Sequence, residues 1–96
     1  MIVVVKAAIQ PVKNGVQARN ASVGLLGQGS TDDLAVRSLR TAVLGWCRGL
    51  ERAGVLQDAL ERRGISWEKG GADLDVVVRP DLPSRPVRAE ESPVSE

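Results

Sequence analysis

Histidine, phenylalanine and tyrosine are absent from this sequence, cysteine and methionine occur once each, and the only aromatics are Trp46 and Trp67. Without histidine there is no ready proton carrier near neutral pH, every His-dependent triad is excluded, and zinc loses its commonest nitrogen ligand. The expectation is a protein that is not an enzyme and holds no metal or cofactor. The single cysteine, Cys47, makes no internal disulfide. Two tryptophans are too few for the stacking platform that grips unpaired bases, and a net charge of +1 leaves no electrostatic footprint for DNA. Direct nucleic-acid binding is therefore not expected. The longest apolar run, Met1 to Val5, is far too short for a membrane span. It also lacks the basic flank and cleavage site of a secretory signal, so a cytoplasmic protein is expected.

What is present suits one small soluble domain with an aliphatic core: 43% apolar and 26% charged residues in a chain of 96. Charge is unevenly spread. Residues 1–29 hold Lys6, Lys13 and Arg19 with no acid, whereas the four bases from residue 66 onward face seven acids. Residues 80–96 carry four of the five prolines among Ser, Glu and Arg, with few large apolar side chains. Such a segment cannot offset its own ordering entropy, and a disordered tail is expected after a domain spanning residues 1–79.

The hydrophobic pattern predicts α+β architecture in the order βββααβ, with both helices on one face of the sheet. Ile2 to Ile9 is β-branched and apolar on both faces at its start, the mark of a central strand. Asn14-Gly15 signals a hairpin turn, Val16–Arg19 the returning strand and Ser22–Leu26 a third strand ended by Gly27-Gln28-Gly29. Ser30 or Thr31 caps a helix over residues 31–53, with Asp32 and Asp33 at the positive end of its dipole. Its apolar residues Ala35, Leu39, Ala42, Trp46 and Leu50 recur at helical spacing, widened by Val36, Val43 and Cys47, while Leu44 falls on the outward side. Leu50-Glu51-Arg52-Ala53-Gly54-Val55 is echoed ten residues on by Leu60-Glu61-Arg62-Arg63-Gly64-Ile65. Both fit a helix end in which a left-handed glycine is followed by an apolar residue. A last strand, residues 73–79, alternates Leu74, Val76 and Val78 with polar positions and is expected to stop at Pro80.

Chemistry-bearing clusters are few. The glycines before the helix match neither a dinucleotide fingerprint nor a P-loop, and Asp32 and Asp33 oppose phosphate there. Cys47 lies on the apolar helix face, where a thiol is inert. Asp73 and Asp75 point the same way on the last strand, but two carboxylates without a third do not build a cation site.

The run Gln28-Gly29-Ser30-Thr31-Asp32-Asp33-Leu34-Ala35, entering a long helix after three strands, resembles the amino-terminal domain of HicB-like antitoxins. Gln28, Gly29, Thr31 and Ala35 match that family's junction, Asp33 stands for its acid, and Gly15 matches its turn glycine. The likeness covers about Ile2 to Leu50. Departures are a shorter connection at Asn20-Ala21, Leu34 at a position often acidic, and no carboxy-terminal DNA-binding module. The resemblance implies a partial ribonuclease-H-like fold, a likeness that does not itself imply nuclease activity, a homo-oligomer of dimeric or higher order, and capture of a small basic RNA-cleaving toxin. The acids that would meet such a partner are Glu68, Asp73, Asp75, Glu90 and Glu91, and the structural positions are Gly15, Gly29, Thr31, Gly54 and Gly64. The alternative is a small homo-oligomeric accessory protein with no toxin.

Overall fold

Three strands lead the chain, β1 (Ile2–Val12), β2 (Gly15–Asn20) and β3 (Leu25–Gly29), in a computed structural model that describes residues 1–71 and 73–81. Two helices follow, α1 (Asp32–Arg52) and α2 (Leu56–Arg62), then β4 (Ser66–Glu68) and β5 (Asp75–Asp81). The expected tail from residue 82, with Glu90 and Glu91, lies outside the described residues.

β1 is the hub of an α+β fold. It pairs antiparallel with β2 and β4 and parallel with β5, while β3 extends the meander beyond β2. Ile2, Val3 and Val4 pair with β4 and β5 at once, and Ala8 pairs with β2 and β5 at once. So β5 occupies one edge of β1, and β2 and β4 share the other, beside its second and first halves. Both of β1's edges are thereby engaged near its start, as expected of a central strand.

Val3, Val5 and Ala7 of β1, Ala18 of β2 and Val76 of β5 point to one side, where Ala35, Leu39, Val43 and Cys47 of α1 and Leu56 and Leu60 of α2 complete the core. The buried stripe of α1 thus centres on a four-residue spacing. Ala42 and Trp46, expected at its centre, lie at its margins, half-buried. Leu44 is half-buried against the core rather than outward.

The strands differ from expectation where glycine and proline serve as punctuation in the sequence reading. β3 is shifted to Leu25–Gly29, so Gly27 and Gly29 lie within it instead of ending it. A Cβ on Gly27 would lie 2.6 Å from the Ala35 carbonyl oxygen and 2.8 Å from Leu39 Cα. Only glycine lets strand and helix backbones meet there. Pro11 sits inside β1 and Pro80 inside β5. In each case the ring nitrogen faces an edge with no partner strand, since β5 reaches no further than Ala8 and nothing described flanks β5 outside. β4, a short strand between α2 and the last strand, is added to the four strands expected.

Both helices close with a Schellman motif. Val55 N–H donates to the Leu50 carbonyl at 3.0 Å and Gly54 N–H to Glu51 at 3.0 Å; Ile65 to Leu60 at 2.9 Å and Gly64 to Glu61 at 3.1 Å repeat the pattern. Gly54 and Gly64 have φ of 74° and 67°, with open space where a Cβ would go. Gly54→Ala or Gly64→Ala should therefore each destabilise by about 1 kcal/mol, from backbone strain alone. Urea unfolding checks this, and a neutral result at both would contradict the strain. At the other end of α1, Thr31 Oγ1 accepts the Leu34 N–H at 3.2 Å and is the cap.

Candidate partner-binding surface

With both helices on one side, the opposite face of the sheet has no described cover. Pairing arranges its side chains in rows. At one end Glu68 of β4 and Asp75 of β5 flank Ile2 of β1; next come Ser66, Val4 and Val77; then Lys6 beside Arg79; then Leu26, Arg19 and Ala8. The face is acidic at the start of β1 and basic at mid-length. Two strand spacings separate Glu68 from Asp75, roughly 10 Å. Asp73, exposed, lies two residues before β5 at the same end. The structure thus brings Glu68, Asp73 and Asp75 to one end of the sheet.

Asp75 is not free for a partner. Its carboxylate accepts from the Arg40 guanidinium of α1 and from Val76 N–H at 2.8 Å, while Arg40 Nε donates to the Val76 carbonyl at 2.8 Å. Arg40 therefore reaches round from α1 and ties the outer edge of β5 to the helix. The Val76 N–H, then Arg40, hold the Asp75 carboxyl below its ordinary 3.8. A depressed carboxyl stabilises the fold above its unfolded pKa and loses that contribution as pH falls through the folded value. Arg40→Ala should raise the Asp75 titration toward 3.8 and shift acid unfolding to higher pH. A carboxyl NMR titration checks this; an unmoved Asp75 would show that the ion pair is idle in solution.

The site's positioning groups include one that sequence reasoning treats as a mere bend. Asn20 is the one buried polar residue among those described. Its Nδ2 donates to the Lys6 carbonyl at 2.7 Å, and its Oδ1 accepts the Val23 N–H at 2.8 Å. The β1–β2 ladder ends at Ala8 and the β1–β4 ladder at Val4, so Lys6 lies in the interval between them. The Asn20 amide fills that gap and starts the turn into β3. An Asn at the end of a strand with a glycine four residues on is the available signal.

Trp46 takes the guanidinium of Arg63 over its ring at 5.4 Å, and Arg63 donates to the Ser22 carbonyl at 3.1 Å. One arginine thereby joins α2, α1 and the β2–β3 turn. Cys47 is fully buried, and desolvation, with Glu51 nearby, pushes its thiol up to about 11. It stays protonated and unreactive at neutral pH. Gly15 approaches the β3 end so closely that a Cβ would meet the Gly29 carbonyl oxygen at 2.5 Å, and Gly29 in turn abuts Leu34 and Ala35. Glycines at the hairpin and the junction thus fix how β2, β3 and α1 meet. Among the described residues no three His, Cys, Asp or Glu side chains gather as a metal site, and no helix is long and apolar enough to cross a membrane.

No family model, no curated protein and no solved structure matches the chain.

Proposed function

We propose that the chain is a non-enzymatic protein-binding module, a HicB-like antitoxin or a solitary relative, whose partner is a small basic RNA-cleaving toxin. The observation that carries this reading is the sheet face that no described residue covers, with Glu68 and Asp73 exposed at one end. Opposite charge there would speed and orient the encounter with a basic surface. Support for the family comes from the β3–α1 junction: Gln28 and Gly29 close β3, Thr31 caps α1, and Gly29 lies against Leu34 and Ala35. The return of β5 beside β1 after the helices gives the meander, helix and final strand a single sheet. On this reading the protein works in the cytoplasm.

A homo-oligomeric accessory role is the second reading, favoured by exposed Leu26 on an outer strand. Co-expression of the full chain with the product of each adjoining reading frame separates the two. The toxin reading expects co-purification of a short basic protein and rescue of its toxicity, weakened by Glu68→Gln with Asp73→Asn and by removal of residues 82–96. Neither capture nor rescue by the wild-type chain would overturn it.

A further inference from the structure

The two outer edges of the sheet are finished differently. In a two-residue hairpin the closing pair is hydrogen-bonded, here Val12 with Gly15. Alternation then points β2's Val16, Ala18 and Asn20 toward β3, and their partners Gly29, Gly27 and Leu25 back toward β2. Leu26 and Gln28 are left with N–H and C=O groups on the outer side, and no described residue hydrogen-bonds to them. On β5 the outward positions are Val76, Val78 and Pro80. Asp75 takes the Val76 N–H, Arg40 takes its C=O, and Pro80 has no N–H. An ion pair and a proline thus blunt that edge, the usual means of doing so, and leave Val78 as the one outward position between them that keeps an N–H. The β3 edge carries neither device. Its sequence, Leu25-Leu26-Gly27-Gln28-Gly29, has no charge. Among the described residues the two most exposed large apolar side chains, Leu26 at 49% and Leu34 at 44%, flank it: Leu26 on the face away from the helices, Leu34 beside Gly29 on the helix side.

We propose that a second copy of this chain adds to the sheet at the β3 edge, the two β3 strands running antiparallel about a twofold axis at Gly27. That register sets Leu26 of one copy opposite Gln28 of the other, twice, so each outward N–H and C=O gains a partner. A two-fold pairing brings each side chain against its own strand's other half, so an uncharged strand meets no like charge across the axis. Leu26 and Leu34 are covered on opposite faces of the added strand. This deepens the homo-oligomeric part of the reading above and does not depend on a toxin.

Light scattering on the full chain at tens of micromolar tests it. The wild type should have twice the mass of one chain. Gln28→Pro removes an outward N–H at an edge position where proline fits a strand, and Leu26→Lys places a charge on the joint; each should give a monomer with native circular dichroism. Val77→Lys, on the blunted β5 edge, should remain dimeric. A monomeric wild type, a dimer that survives both β3 substitutions, or dissociation by Val77→Lys would overturn the proposal. None of these outcomes bears on whether a basic partner is captured, which the co-expression experiment reads separately.

Discussion

Gly27→Ala should lower stability by about 3 kcal/mol, the upper end of the usual range for overpacking a tight contact. The added methyl meets the Ala35 carbonyl oxygen, the Leu39 Cα and, nearest of all, the Leu39 nitrogen. These are backbone atoms of α1, so no rotamer change relieves the clash. Either β3 moves off the helix, opening a gap over Ala35 and Leu39, or the helix shifts and disturbs the core beneath it. For a domain of ordinary marginal stability, a loss of this size is a large fraction of the total. Gly45→Ala is the control. It lies within the same helix with nothing in reach of a Cβ, and should stabilise by up to about 1 kcal/mol through helix propensity. Urea midpoints for the two variants test the pair, and a loss below about 1 kcal/mol at Gly27 would mean that strand and helix are not in backbone contact.

Asn20→Leu should cost about 2 to 3 kcal/mol, because it leaves the Lys6 carbonyl and the Val23 N–H without their partners. Asn20→Asp is the more informative variant. Its carboxylate still accepts from Val23, but it cannot donate to Lys6 and adds a charge at a buried position. Only the protonated acid restores a donor, so the folded pKa of the new carboxyl should rise above its unfolded value. A raised carboxyl binds more protons in the folded state, so stability is greatest below the unfolded pKa and falls as pH climbs through the folded one. The variant should therefore gain relative to wild type on acidification. Thermal melts across the carboxylate range check this; a deficit independent of pH would show that the introduced carboxylate is solvated and the gap open.

Legibility in the sequence follows the range of the interactions. Helix ends are local, and the paired Leu-Glu-Arg-x-Gly motifs locate both C-terminal caps. The aliphatic alternation of Leu74, Val76 and Val78 places the last strand. β3 is harder to place because glycine marks a break only when nothing demands a close approach, and Gly27 answers to Ala35 and Leu39, which lie beyond its own strand. Pro80 misleads for a related reason: a missing N–H matters only on an edge that has a partner. At the surface, charge type is visible but not pairing. Asp75 reads as one more acid of a basic-partner site until Arg40, thirty-five residues earlier, is seen to hold it. Asn20 reads as a bend, since its carbonyl partner lies fourteen residues back.

The proposed capture of a basic partner at the acidic end of the sheet is tested most directly by isothermal titration of the purified full chain with any short basic protein that an adjoining reading frame encodes. Binding is expected, weakening as salt rises and weakening further when Glu68→Gln and Asp73→Asn are combined, with the melting temperature of that double variant unchanged. Heat of binding that is absent for the wild type, or that survives the double substitution undiminished, would contradict the proposed site.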